Sequence, residues 1–554
     1  MKRKRTLIIL VILILMNSSS VLAFSNIPKY SLKNPKKPKY LYVLSQNDMT
    51  EAEQVMISTL QGLISTHSSR QIYTINSNQP DYNIWLDDLK DNYNVNYEMV
   101  ANPWSMIDVF KDYIKGYVLY SKATPSDPSI NNACTLAALK SSLAIDESIE
   151  DKIKDLGITT VIGDCRNTDK FWAYDNLWNK LKNHSLVIEL SPAHSSALRD
   201  YAIMTKSLVF YEDDVNDFKL REKVFGSMDS NSICLGWGPD EYKNVNIASK
   251  YGVGMIAADW SYNLSVLSSF PSNPLNQKNQ AVPTEANVHY VTFIMSDGDN
   301  QQWNLGSNYT SPKWYGSKFR GKFSMGWSMT PSLYYLAPTV LNKYYSSATS
   351  LDNFIVSPSG NSYIYPSKFP SNALDKYLED LNSYMGKVDE KYIAVIDDWA
   401  FNKTSLWDKF TIKPNIEGIF YLNYSKHDDY KGKILWSHEK PIVSCRNLLW
   451  SGLEDETELI NSVENSVKNG EIDINNESAY TFVYVHAWSK DMSNISNVVE
   501  RLNKLPNVRI VTPDSFMKLI KQNVLQSKKN SNNCSFYFIL PAVIDFIICF
   551  CARK

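Results

Sequence analysis

From residue 41 onward, short apolar runs closed by polar clusters alternate with stretches whose apolar residues recur at helical spacing. "LYVLS" at 41 is followed by the helical pattern "EAEQVMISTLQGLIS" and then by "QIYTIN". Further strand patterns are "YVLYS" at 117, "TTVIGD" at 159, "LVIELS" at 186, "LVFYED" at 208, "ICLGWG" at 233 and "VGMIAA" at 253. Strands alternating with helices predict an α/β domain with a mostly parallel sheet over residues 41–275. A polar segment carrying three prolines, residues 268–287, then marks a domain boundary.

Beyond it the rhythm restarts in "HYVTFIMSDGDN", "FSMGWSM", "NFIVSPSGNSYIYP", "YIAVIDDW", "GIFYLNY", "KILWSHEKPIVSCR", "YTFVYVHAWS" and "VRIVTPDSF". Each run ends in a polar or aromatic cluster. Such a series over 286–522 predicts a (β/α) barrel-like C-terminal domain, with its chemistry at the C-terminal strand ends.

The two chain ends read differently. Lys2, Arg3, Lys4 and Arg5 precede the apolar run from Leu7 to Met16 and the small-x-small triplet Val21-Leu22-Ala23, the pattern of a signal peptide over 1–23. Residues 24–40, with five lysines and three prolines, predict an extended arm. A polar linker, 523–535, leads to the hydrophobic tail 536–554, which closes with Arg553 and Lys554 and is compatible with membrane attachment. The expected location is secreted or cell-surface.

Lys+Arg 57 against Asp+Glu 58 removes the electrostatic case for a nucleic-acid partner. Aromatic residues make up 12% of the chain, which suits stacking on sugars as well as ordinary cores. Seven cysteines include no C-x-x-C pair, and no two histidines lie three to five apart, so neither a metal nor a cofactor is expected. Counted from Asp297, an EF-hand would need glycine and an acid where Gln302 and Asn308 stand.

The candidate catalytic residues are therefore carboxylates at strand ends. Asp297 and Asp299 share a parity, so on a continuing strand both face one side, where like charges raise one pKa; Asn300 and Trp303 follow. The alternative is a self-capping turn. Asp397 and Asp398 end "VIDDW", with Asp397 and Trp399 on one face, or else a helix cap at Asp398. His486 and Trp488 close "YTFVYVHAWS", and Glu439 and Arg446 in "SHEKPIVSCR" form either a carboxylate and hydroxyl clamp or a loop ion pair. In "SPSGNSYIYP", Gly360 admits a positive φ, and Tyr363 and Tyr365 present two phenols on one side.

That last loop resembles the signature of the GxGYxYP family, which is classed with the glycoside hydrolases. Gly360, Tyr363, Tyr365 and Pro366 keep the motif, while Ser362 replaces its second glycine. The resemblance extends to "LQGLIS", "NNACTLAAL" at 131, "AADWSYNLSVLS" at 257 and "SDGDN" at 296. It implies an N-terminal α/β domain, a barrel-like C-terminal domain and a carbohydrate substrate, but no catalytic assignment. The reading is an exported glycoside hydrolase pairing Asp297 or Asp299 with Asp397 or Asp398. A non-catalytic glycan-binding or adhesion protein and a metal-dependent carbohydrate esterase are the alternatives.

Overall fold

The computed structural model describes residues 35–278 and 281–529. The signal peptide, most of the arm and the hydrophobic tail lie outside these residues. Among the described residues no helix is long and apolar enough to cross a membrane.

The region 41–275 carries three separate parallel sheets. The first holds β1 (Tyr40–Ser45), β2 (Arg70–Ile75) and β3 (Asn96–Met99), in the order β2-β1-β3. The second holds β4 (Tyr117–Tyr120), β5 (Leu143–Asp146) and β6 (Val161–Asp164), in the order β5-β4-β6. In the third, β7 (Leu186–Glu189), β8 (Leu208–Phe210), β9 (Ser232–Gly236) and β10 (Val253–Ile256) run β10-β9-β7-β8. Every pairing in the three is parallel, which requires a crossover between strands and explains the helical patterns between the apolar runs. The helix Glu51–Ile64 begins at a capping box in which Thr50 and Glu53 satisfy each other's backbone N–H.

The C-terminal sheet has ten strands: β11 (His289–Met295), β12 (Met325–Met329), β13 (Asp352–Val356), β14 (Tyr392–Asp397), β15 (Gly418–Asn423), β16 (Ile434–Ser437), β17 (Lys440–Ser444), β18 (Asn447–Leu449), β19 (Tyr480–Val485) and β20 (Val508–Ile510). Their order, β16-β17-β15-β14-β13-β12-β11-β19-β18, with β20 also on β11, forms a strongly curled mixed sheet. The antiparallel β16–β17 hairpin is the exception to a parallel rule. The segment from β17 to β18 carries the curl round. Its Cys445 N–H bonds Tyr421 O of β15 (2.9 Å), and the next amide, Arg446 N–H, bonds Phe482 O of β19 (3.1 Å).

Strand alternation divides the side chains between two cores. Tyr290, Ile294, Ile355, Ala394, Ile396, Phe420, Leu422, Phe482 and Tyr484 belong to one cluster. Val291, Phe293, Met295, Ile393, Val395, Tyr421 and Val483 belong to the other, with the covering helices. The first cluster also takes in Phe516 of the helix Pro513–Ile520, whose Asp514 accepts a bond from Tyr392 Oη at 3.2 Å. That cluster includes Tyr363, Tyr365 and Met255, so the signature loop and the third sheet share one core.

Cys134, Cys165, Cys234 and Cys445 are buried free thiols. Asn263, Asn308 and Asn423 each open an Asn-x-Ser/Thr sequon, but all three are buried and cannot carry a glycan in the folded protein.

Candidate active site

β11 ends at Met295, and Asp297 then takes a left-handed φ of 65°. "SDGDN" is a turn, closed by the Asn300 N–H to Asp297 O bond at 3.0 Å. The expected parity of a continuing strand therefore does not apply. Both carboxylates nevertheless line one cavity of about 250 Å³. The loop is held against β12, where Gly298 N–H bonds Ser328 Oγ at 2.8 Å and Ser328 Oγ–H bonds Met295 O at 2.6 Å.

The cavity collects Asp297, Asp299, Asn300, Tyr363, His486 and Trp488 from the residues expected above. It adds Glu241, Trp237, Gln302, Tyr424, His427, Trp450 and Tyr484. Glu241 belongs to the first turn of the helix Glu241–Lys250, which follows β9 of the third N-terminal sheet. The strand-end rule, extended from the C-terminal domain to "ICLGWGPDEY", would have found it.

The signature loop joins the two domains here. Its Tyr363 exchanges both backbone bonds with Met255 of β10, at 2.7 and 3.1 Å, and its hydroxyl donates to Glu241 Oε1 at 2.9 Å. Gly360 sits at φ +137°. Ser362, in place of the motif's second glycine, is accommodated because residue 254 opposite it is also glycine: a Cβ there would lie 1.8 Å from Ser362 Oγ.

The three carboxylates differ in environment. Burial, then the charges of Asp297 and Glu241, push Asp299 well above the ordinary carboxylate range. Burial also raises Asp297, but Ser296, the His486 charge and the Trp488 indole favour its ionised form, the indole N–H bonding Oδ1 at 2.8 Å. Glu241 is raised by burial and drawn back by Tyr363. Burial lowers both histidines, His427 to about 4. His486 stacks flat on Trp450, centroids 3.8 Å apart, and His427 lies 4.7 Å from the same ring. The result is an aromatic-walled polar cavity in which burial raises all three carboxyls, Asp299 well above the ordinary range, while hydrogen bonds to Asp297 and Glu241 partly offset their burial.

Several expected residues stand elsewhere. Asp397 shares its side of β14 with Ile393 and Val395, away from the cavity, where it accepts bonds from Ser367 N–H (2.6 Å) and Ser367 Oγ–H (2.7 Å). It anchors the chain just after the signature proline. Asp398 accepts from Tyr242 Oη at 3.2 Å and does not line the cavity. Asp397 and Asp398 therefore do not share the cavity of Asp297 and Asp299, where the third carboxyl group is Glu241.

Trp399 is 58% exposed and also outside the cavity. Trp303 is buried, edge-on to Trp488 at 5.3 Å, and supports that platform rather than forming one. Tyr365 is fully buried, packed on Tyr242, Tyr363 and Tyr424. Glu439 occupies the β16–β17 turn at φ +59° and pairs with Lys529 at 2.6 Å. Arg446 donates to Tyr480 O and Glu477 O, fixing the crossing from β15 to β19. Among the described residues no group of three or more His, Cys, Asp or Glu is placed to hold a metal.

Residues 287–521 match the family described as "GxGYxYP putative glycoside hydrolase C-terminal domain", and residues 40–112, 114–181 and 184–269 match its first, second and third domains. The chain belongs to the GxGYxYP family. The three N-terminal matches coincide with the three parallel sheets. The GxGYxYP chain is also similar to a solved structure described as a putative hydrolase from Bacteroides thetaiotaomicron VPI-5482. The two share 32% identity, with 89% of this chain and 96% of that one covered and a TM-score of 0.82. No curated protein matches.

Proposed function

We propose that this GxGYxYP protein is an exported glycoside hydrolase that cleaves its carbohydrate substrate in the Asp297–Asp299–Glu241 cavity. The observation that carries the reading is the convergence of three carboxyl groups, from two domains, in one aromatic-walled cavity, with negative neighbours raising Asp299 further and hydrogen bonds offsetting the burial of Asp297 and Glu241. Asp299, kept protonated by burial and by two negative neighbours, gives its proton to the glycosidic oxygen as the bond to the anomeric carbon breaks. Asp297, supported as the carboxylate by Trp488, either takes a proton from the water that attacks that carbon, or attacks the carbon itself to form a glycosyl ester that water then cleaves, giving its proton to Asp299 and freeing Asp297. Glu241, held by Tyr363, is the third carboxylate facing the charge that develops on the sugar. Trp237 and Trp488 supply apolar faces for sugar rings. The basic and apolar N-terminal pattern supports export.

The test is hydrolysis of a glycan library by the full chain beside Asp297→Asn. Cleavage by the wild type that the variant loses supports the reading, and the anomer released distinguishes nucleophile from base. Binding of glycans with no cleavage by either protein would replace the enzyme with a glycan-binding protein.

A further inference from the structure

A larger crevice, about 570 Å³, lies between the second and third parallel sheets and shares no residue with the catalytic cavity. The segments after β4, β6, β7 and β8 all open into it, contributing Thr124, Asn167, Pro192 and Tyr211 among others. The crevice outside the carboxyl ends of parallel strands is where open α/β sheets bind ligands, and this volume falls in the usual range of about 300–1,000 Å³.

Its wall is built and not merely exposed. Asn132, 2% exposed, donates through Nδ2 to Thr168 Oγ1 (2.8 Å) and to Asp169 O (2.9 Å). Its side chain, fixed by these two bonds, is part of the crevice lining. Asn131 beside it, in the first turn of the helix Ser129–Lys140, donates to Leu190 O (2.8 Å) and accepts from Arg199 Nη1 (3.0 Å), tying that helix to the residue after β7 and to the helix Arg199–Thr205.

The lining chemistry selects a class of ligand. Asp127, Asp169 and Asp213 outnumber Lys170, whose ammonium is already paired with Glu212, so the crevice disfavours anions. Amide and hydroxyl groups beside the ring of Tyr211 match the hydroxyls and C–H faces of a sugar.

We propose that this crevice is a second saccharide-binding site, for a neutral sugar chain, separate from the catalytic cavity. The choice of a sugar as the ligand rests on the glycoside-hydrolase reading; the site itself rests on the crevice. A long substrate held there raises its effective concentration at the cavity on the same molecule.

The experiment is binding of the full chain to an array of neutral, uronic-acid-containing and sulfated oligosaccharides, followed by titration with the neutral glycan bound best. Ala123→Trp fills the crevice from an exposed position, and Tyr211→Ala removes its ring; a thermal melt verifies that each is folded. Each variant is expected to weaken neutral-glycan binding by about 10-fold or more, while Asp299→Asn retains it. Ala123→Trp should leave cleavage of a short soluble glycoside unchanged. Binding within about two-fold of wild type in both crevice variants would overturn the proposal. So would a preference for acidic glycans, loss of all binding in Asp299→Asn, or no binding of any neutral glycan. Crevice binding without hydrolysis by any form would support the site and refute the enzyme reading instead.

Discussion

Asp299→Asn tests the site reading on activity and stability at once. General acid catalysis contributes about 10²–10⁴-fold, so removing the proton should cost kcat/KM about 3–5 kcal/mol in barrier. Stability should move in the opposite direction. Burial and the neighbouring Asp297 and Glu241 raise the folded carboxyl, so the native state keeps a proton that the unfolded chain releases as pH climbs past the ordinary aspartate value. Wild-type stability therefore falls with rising pH on account of this group, and the neutral amide removes that loss. The variant should be nearly inactive, and at neutral pH it should melt no lower than wild type, with its advantage growing toward alkaline pH. The assays are hydrolysis of the most responsive library glycan and thermal melts across pH 4 to 9. Activity within about three-fold of wild type, or an advantage that shrinks as pH rises, would refute the assignment.

Tyr363→Phe removes the 2.9 Å bond that holds Glu241 toward its ionised form, so kcat/KM should fall about 10-fold and the acidic limb of its pH profile should move to higher pH. Gly254→Ala places a methyl carbon 1.8 Å from Ser362 Oγ and should cost about 1–3 kcal/mol in denaturant melts, a loss that adding Ser362→Gly relieves. Asp397→Asn weakens the two Ser367 bonds, and should lower stability by about 2 kcal/mol while leaving the kcat of the folded protein unchanged. Burial raises Glu390, which accepts from Tyr345 Oη at 2.8 Å, from 4.5 to about 8. Wild-type stability should therefore fall by about 3 kcal/mol between pH 4.5 and 7 through this group, and Glu390→Gln should abolish that slope in pH-dependent melts.

The extent of legibility differs between fold and site. Strongly apolar strands bounded by polar clusters were readable one by one, because period and composition are local. "NYEM" of β3 and "LAID" of β5 carry too little pattern to stand out, and β18 is hidden because it continues the same segment as β17. The division of 41–275 into three sheets was not readable, since strand order depends on which crossovers pack together.

Alternation along β19 sets Phe482 and Tyr484 in one cluster, and Tyr484 and His486 both line the cavity. Strand parity misled at Asp297, where a left-handed residue replaces the strand, and at Asp397, where the predicted face turned out to be the outer one. Glu241 lies more than fifty residues from the nearest C-terminal carboxylate in sequence, and no local signal joins them.

By itself the sequence determined the α/β class, the strand-end positions of "SDGDN" and "YTFVYVHAWS", and the family to which the signature loop points. These follow from backbone periodicity and from residue types whose preferences are intrinsic. Only the tertiary structure decided which carboxylates meet. That choice rests on the curl of one sheet, on the Tyr363–Met255 bridge to another, and on the burial that sets each proton, all of which are contacts between segments distant along the chain.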